Sequence, residues 1–238
     1  MPHKKFLADF RASVSNERLG MYRQRGVAGG DENLVVHYAW NIALSEGLYP
    51  ILQCMEIALR NSIHDTATKA FGTPYWFDAP GLLDPTGTTK IAEARKKLAG
   101  EGKAVTAAGI IAEQSFGFWT SLFAGRLDRL FWRKIVKGTF PGLPRHLGKR
   151  SIVSARLNEI RKIRNRVFHH EPIWHIRDLR NKHAQIFEFI EWISPPMAEF
   201  VMAIDRFPLL YSAGMTAFQR DLEQRFSRVT IPSTENSP

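Results

Sequence analysis

The sequence predicts an all-α protein, a helical bundle with additional helices around its core. Three observations carry this. Apolar residues recur every three or four positions over most of the chain, the spacing of one helix face. No stretch alternates apolar and polar residues as a half-buried strand would. Glycine and proline mostly punctuate the periodic stretches, and no repeat or low-complexity tract intervenes.

The first clear element follows Gly29-Gly30, where Asp31-Glu32-Asn33 makes an acidic helix start. Leu34, Tyr38, Ile42, Leu48, Leu52, Met55, Leu59, Ile63 and Ala67 then predict a long helix from Asn33 to about Phe71, with a kink at Pro50. Gly72-Thr73-Pro74 ends it, and an irregular stretch with Pro80, Gly81, Pro85 and Gly87 follows. Short helices are expected over 89–98 and about 104–114. Gly117 interrupts an aromatic patch of Phe116, Phe118, Trp119 and Phe123, expected to pack in the core, with base stacking as the alternative. A basic amphipathic helix should then run to about Val136, with Leu122, Leu127, Leu130, Phe131 and Ile135 as its apolar side. Gly138, Pro141, Gly142, Pro144 and Gly148 mark a loop. The next helix begins near Ser151 and stops before Pro172, which lacks an N–H and restricts the residue ahead of it. Ile186, Phe189, Ile190 and Ile193 define another helix. Ser194-Pro195-Pro196 reads as an N-cap with proline at the first helical position, and one or two helices close the chain. The simplest organisation is one all-helical domain over 1–238, with 230–238 a frayed polar tail.

Composition is that of an ordinary globular chain, 44% hydrophobic and 24% charged. The one cysteine, Cys54, sits in an apolar helical context and reads as a buried structural thiol. No signal peptide is recognisable, and no apolar stretch approaches the roughly 20 residues of a membrane span. The expectation is a cytoplasmic protein with no membrane partner. Net charge is +10, concentrated in one region: from Arg126 to His183 sixteen Lys and Arg face four Asp and Glu, and five of the eight histidines also lie there. Such clustering is the electrostatic footprint of a phosphate-rich partner, against the plainer reading of a solvated helix surface.

The chemistry concentrates in Arg164-Asn165-Arg166-Val167-Phe168-His169-His170-Glu171-Pro172. Arginine grips phosphate with a planar cation, and histidine moves protons near neutral pH. Val153, Leu157, Ile160, Ile163 and Val167 form the apolar stripe of this helix, and Arg164 shares its broad face. It must therefore be paired or face a cleft or interface. Arg161, Asn165 and His169 form a polar row four residues apart. Arg164 and His169 are five apart, about 140° around an ideal helix. They converge on one phosphate only if the last turn loosens before Pro172, or if two copies of the motif meet across a symmetric dimer. Arg161, Lys162, Arg166, Arg156, Arg133 and Lys134 are the expected RNA-binding cations. Glu56, Arg60, Asn61, His64 and Glu171 are candidate supporting residues: Glu56, Arg60, Asn61 and His64 echo the main motif, with a Glu56–Arg60 intrahelical pair as the plainer reading. His170-Glu171-Pro172-Ile173-Trp174-His175 has one residue too many, and a proline, for a zinc-protease motif, so no metal or other cofactor is expected.

The run from Arg164 to His169 resembles the Arg–x4–6–His signature of HEPN domains. Its continuation, His170-Glu171-Pro172-Ile173-Trp174, resembles the Abi-like family of abortive-infection proteins of the AbiD/AbiF type. Ser15-Asn16-Glu17-Arg18-Leu19, Tyr38-Ala39-Trp40-Asn41, Glu56-Ile57-Ala58-Leu59-Arg60-Asn61, Gly72 with Trp76-Phe77, and Ser115-Phe116-Gly117-Phe118-Trp119 agree with it, so the resemblance spans roughly 15–210. It implies a HEPN-like core over about 32–193 and a bacterial phage-defence or toxin–antitoxin role. The implied activity is a metal-independent RNA endonuclease at a homodimer interface, with an RNA or protein antitoxin as a further partner. By position, Arg164 would bind the scissile phosphate, Asn165 would orient it, and His169 would be the general acid or base, with His170 a second proton carrier. The alternatives are a non-catalytic RNA- or protein-binding module, and a structural role in which Arg164 pairs with Glu56 or Glu159 while the histidines cap the helix.

Overall fold

A computed structural model describes residues 4–228, and side-chain surroundings within 7–225. The expected tail at 230–238 lies outside the described residues. The chain is all-α, with no strand among the described residues. Its helices are α1 (Lys4–Val14), α2 (Asn16–Gln24), α3 (Asp31–Phe71), α4 (Pro85–Gly100), α5 (Ala107–Ala112), α6 (Phe116–Ser121), α7 (Arg133–Thr139), α8 (Arg150–Phe168), α9 (Leu179–Ile193), α10 (Pro195–Ile204) and α11 (Phe207–Arg228). Gly214, at φ 77 and ψ 170, breaks α11 into two helical pieces.

Capping chemistry explains several boundaries. Asp84 Oδ1 accepts from Gly87 N at 2.8 Å ahead of Pro85, and Thr106 Oγ1 accepts from Gly109 N at 3.1 Å. Ser194 Oγ accepts from Met197 N at 3.4 Å, the cap its sequence predicts. Gly72 takes φ 72 just past α3, the left-handed stop that glycine adopts without a Cβ penalty. Pro50 does not end α3, which runs 41 residues through it. The helices over 4–24 had no sequence expectation, because their apolar positions are sparse.

Contacts gather the chain into two compact units. One comprises residues 4–49, 166–180 and 205–228; the other comprises 50–165 and 181–204. The divisions fall inside α3, between Tyr49 and Pro50, and inside α8, between Asn165 and Arg166. The first unit has a cluster of Leu19, Tyr22, Val27 and Leu34, joined by Phe10, Val14, Tyr38 and Trp174. The second has a large aromatic core. Trp76 lies 5.3 Å from Phe131, Phe123 lies 5.8 Å from Phe140, and Phe140 lies 6.0 Å from Phe189. Phe116, Phe118, Trp119 and Phe123 are all buried there, so the aromatic patch is core rather than a base-stacking platform.

Two expectations need correction. The single amphipathic helix to Val136 is instead α6, a 3-10 turn at Gly125–Leu127, a π turn at Asp128–Trp132, and α7. Phe123, Leu127, Phe131, Ile135 and Thr139 are all fully buried, a strict spacing of four. That period is wider than the 3.6 residues of an α-helix, and the π turn absorbs the difference. Leu130 therefore faces out, 51% exposed. The second correction concerns α3, which contains an 18-residue window of mean hydropathy 1.2, long and apolar enough to cross a membrane by length and composition. Half of that window is buried within the protein, including Leu44, Leu48, Ile51, Leu52 and Met55.

Candidate active site

The motif lies at the C-terminal end of α8, and the division between the two units passes through it. Arg164 and Asn165 belong to the second unit, His169 and His170 to the first.

Within the second unit, Ile160 and Ile163 are buried and hold this face of α8 in the core. Arg164 is carried there with them and is only 22% exposed. Its Nε and Nη2 both reach Glu56 Oε2 of α3, at 3.3 and 3.2 Å, and Glu56 is 20% exposed. The sequence expectation that an arginine on this face must be paired or face a cleft is met by the pair. Glu56 thus faces Arg164 rather than Arg60, whose Nε donates to Asn61 Oδ1 at 3.1 Å. His64 is not an open proton carrier. Trp76 Nε1 donates to its Nδ1 at 3.1 Å, and burial lowers its pKa, offset in part by Asp65. The buried indole N–H needs that acceptor, so neutral His64 is the form the core selects.

Within the first unit, α8 does not unwind ahead of Pro172. It stays helical to Phe168 and closes in a Schellman arrangement. His170 N donates to Val167 O at 3.2 Å, Glu171 N donates to Arg166 O at 2.8 Å, and His170 takes φ 58. His170 therefore fills the left-handed position that helices usually give to glycine. Its carbonyl accepts from Arg18 Nη1 of α2 at 2.6 Å. His169, the residue before, is exposed, and no hydrogen bond to its ring forms among the described residues. Arg166 turns onto the loop it precedes: Nη1 donates to Pro172 O at 3.2 Å, and Nε lies 4.0 Å from Glu171.

Sequence reasoning missed the residue that fixes this loop. Asn41 of α3 is 3% exposed. Its Oδ1 accepts from Ile173 N at 2.6 Å and Trp174 N at 3.3 Å, and its Nδ2 donates to Glu171 O at 3.4 Å. The signal was present: Leu34, Asn41 and Leu48 are seven apart, so Asn41 is a polar residue on a core stripe. Beyond the loop, Arg25 Nε donates to His175 Nε2 at 3.3 Å. Burial, then Arg25 and Arg166, lower the His175 pKa.

The expected RNA-binding cations other than Arg133 are held by partners within the protein. Arg156 pairs with Glu188 at 3.2 Å and stacks over Trp192. Arg161 Nε donates to Asn158 at 3.3 Å, Lys162 pairs with Glu159 at 2.7 Å, and Lys134 lies over the Phe71 ring at 4.7 Å. Arg133 reaches Asp128 at 3.5 Å but is 69% exposed. Cys54 is buried, and burial raises its pKa. Among the described residues no group of three His, Cys, Asp or Glu is placed to hold a metal ion.

These features define a basic all-α protein with an Arg/His motif at a helix end. No family model matches the chain, and neither a curated protein nor a solved structure matches it.

Proposed function

We propose that this chain is an Abi-like, HEPN-type ribonuclease of bacterial phage defence. It acts as a metal-independent RNA endonuclease through Arg164 and His169, as a cytoplasmic homodimer. The observation that carries the reading is His169: an exposed imidazole one residue past the end of a basic helix, with no protein partner for its ring among the described residues. Such a ring leaves its nitrogens open to exchange protons with a ligand. A base takes the ribose 2′-OH proton, the oxygen attacks the adjacent phosphorus, and the 5′-oxygen leaves with a proton from an acid. The products are a 2′,3′-cyclic phosphate and a 5′-hydroxyl. DNA lacks the attacking group, so the activity is specific to RNA. Arg164 grips the scissile phosphate and Asn165 orients it. His170 shapes the backbone through its left-handed conformation. An RNA or protein antitoxin would restrain the activity.

The test is incubation of purified protein with total RNA in EDTA. Wild type is expected to produce cyclic-phosphate ends, and His169→Ala to lose about 10²–10⁴ in rate. Identical behaviour of the two proteins sinks the catalytic reading. The Arg164–Glu56 pair favours a second reading, a non-catalytic RNA-binding module, because the carboxylate offsets the charge that phosphate would meet. That reading expects RNA retention without cleavage, weakening steeply with salt.

A further inference from the structure

The positive charge that the sequence concentrates in one region divides in the structure into two kinds. Every Lys and Arg of α8 has a partner within the protein. Arg150 donates to Phe123 O at 2.6 Å and faces Asp128 at 3.6 Å. Arg156, Arg161, Lys162, Arg164 and Arg166 are held as described above. Of the cations just before α8, Arg126 donates to Leu82 O at 2.8 Å and Lys134 lies over Phe71, but others are different. Arg129, Lys137 and Lys149 are exposed, with no ion pair among the described residues, and Arg133 is exposed beyond its 3.5 Å approach to Asp128.

Their placement follows from the period of four. The buried stripe Leu127, Phe131, Ile135 and Thr139 fixes the inner side of the π turn and α7. Arg129, Arg133 and Lys137 are each two residues from a member of that stripe, about 200° around a helix, so they form a row on the opposite side. Gly138 locks this orientation. A Cβ there would lie 2.6 Å from Thr66 Cγ2 of α3, and Ser62 Oγ of α3 donates to Thr139 O at 2.9 Å. Arg150 fastens the start of α8, and with it the adjacent Lys149, to Phe123 and Asp128. Asp128 is the one acidic residue from 125 to 150, against eight Lys and Arg.

We propose that the row Arg129, Arg133 and Lys137, extended by Lys149, is the surface that holds the phosphate backbone of single-stranded RNA. It deepens the ribonuclease reading, on which it rests, by keeping Arg133 of the expected binding cations and replacing those of α8 with Arg129, Lys137 and Lys149. A row of exposed cations about 6 Å apart along one helix suits a linear polyanion. An anionic membrane is a poorer fit, because Leu130 is the one large exposed apolar side chain from 125 to 150 and surface binding to lipid needs buried apolar area.

The test uses a His169→Ala background, so that binding is read without cleavage. The probe is a short fluorescent single-stranded RNA of mixed sequence, titrated by anisotropy from about 50 to 200 mM KCl. The Arg129→Glu, Arg133→Glu, Lys137→Glu triple variant is expected to lose at least tenfold in affinity. A milder triple change of the same residues to Gln is expected to lower the slope of log K against log salt by about 2, at roughly 0.7 per phosphate contact. A control triple variant with the same charge change on exposed lysines elsewhere, Lys96→Glu, Lys97→Glu and Lys103→Glu, is expected to lose less than threefold. Circular dichroism checks the fold, and the Gln variant decides if the Glu variant misfolds. Equal losses in row and control variants overturn the proposal, as does a wild type that binds phosphatidylserine vesicles and not RNA. Localised binding with no cleavage by the His169 protein leaves this surface standing and removes the ribonuclease reading.

Discussion

Arg164 and His169 stand five residues apart in the chain, in opposite circumstances. The arginine is held by a carboxylate on a half-buried face, among the packed side chains of α3 and α8. The histidine is in solvent, and what is fixed around it is backbone rather than ring: a left-handed cap at His170 and a loop held by Asn41. The arginine side rests on an ion pair between side chains, the histidine side mainly on hydrogen bonds to backbone, from Asn41, Arg18 and Arg166. The contrast teaches that a motif written as one short string is maintained by two different kinds of interaction, each breakable without the other.

The largest expected effect is on the histidine side. Asn41→Ala strands the buried Ile173 N–H, the part-buried Trp174 N–H and a carbonyl, and should cost about 3 kcal/mol in chemical denaturation. Asn41→Asp keeps the acceptor and should lose distinctly less. Equal losses would mean that the loop is not held by this side chain. On the arginine side, Glu56→Ala leaves Arg164 without its carboxylate and should cost about 2 kcal/mol. His169→Ala, which removes an exposed ring with no hydrogen bond among the described residues, is the matched control and should stay within about 0.5 kcal/mol. A smaller effect of opposite sign is expected from His170→Gly, which relieves the left-handed strain and should stabilise by about 0.5–1 kcal/mol. A loss there would show that the His170 ring has a role beyond the cap.

The smallest effect appears only in acid. His64 must be neutral to accept from Trp76, and its folded pKa lies below the 6.5 of the unfolded chain. The unfolded state therefore binds more protons, and the contribution is complete above pH 6.5 and lost as pH falls through the lower folded value. His175 shifts in the same direction. Stability measured against pH should decline below 6.5, and His64→Gln should flatten part of that decline. An unchanged profile would remove His64 as a source.

Much of the fold was legible. The stripe from Leu34 to Ala67 gave a long helix because its period survives Pro50, and Val153 to Val167 gave the motif helix with its buried face. The region 123–139 departs from its expected form because its fully buried residues repeat every four positions rather than every 3.6, which leaves Leu130 outside. The Arg164–Glu56 pair was one of two partners foreseen for Arg164, since an arginine on an apolar face must be matched. Asn41 was overlooked because a lone polar residue in an apolar run announces no partner.

The sequence by itself determined the all-α class, the helix start at Ser194, and the excess of positive charge before His183. These follow from local periodicity, capping chemistry and composition, which need no distant contact. Only the tertiary structure decided which cations are spent and which are offered. Whether a charge is neutralised depends on carboxylates and carbonyls brought from elsewhere in the chain: Glu56 to Arg164 across 108 residues, and the Phe123 carbonyl to Arg150 across 27. For the same reason the opening string of arginines and histidines does not carry the exposed charge. That charge stands on the outer side of α7, where the packing of Gly138 against Thr66 turns it outward.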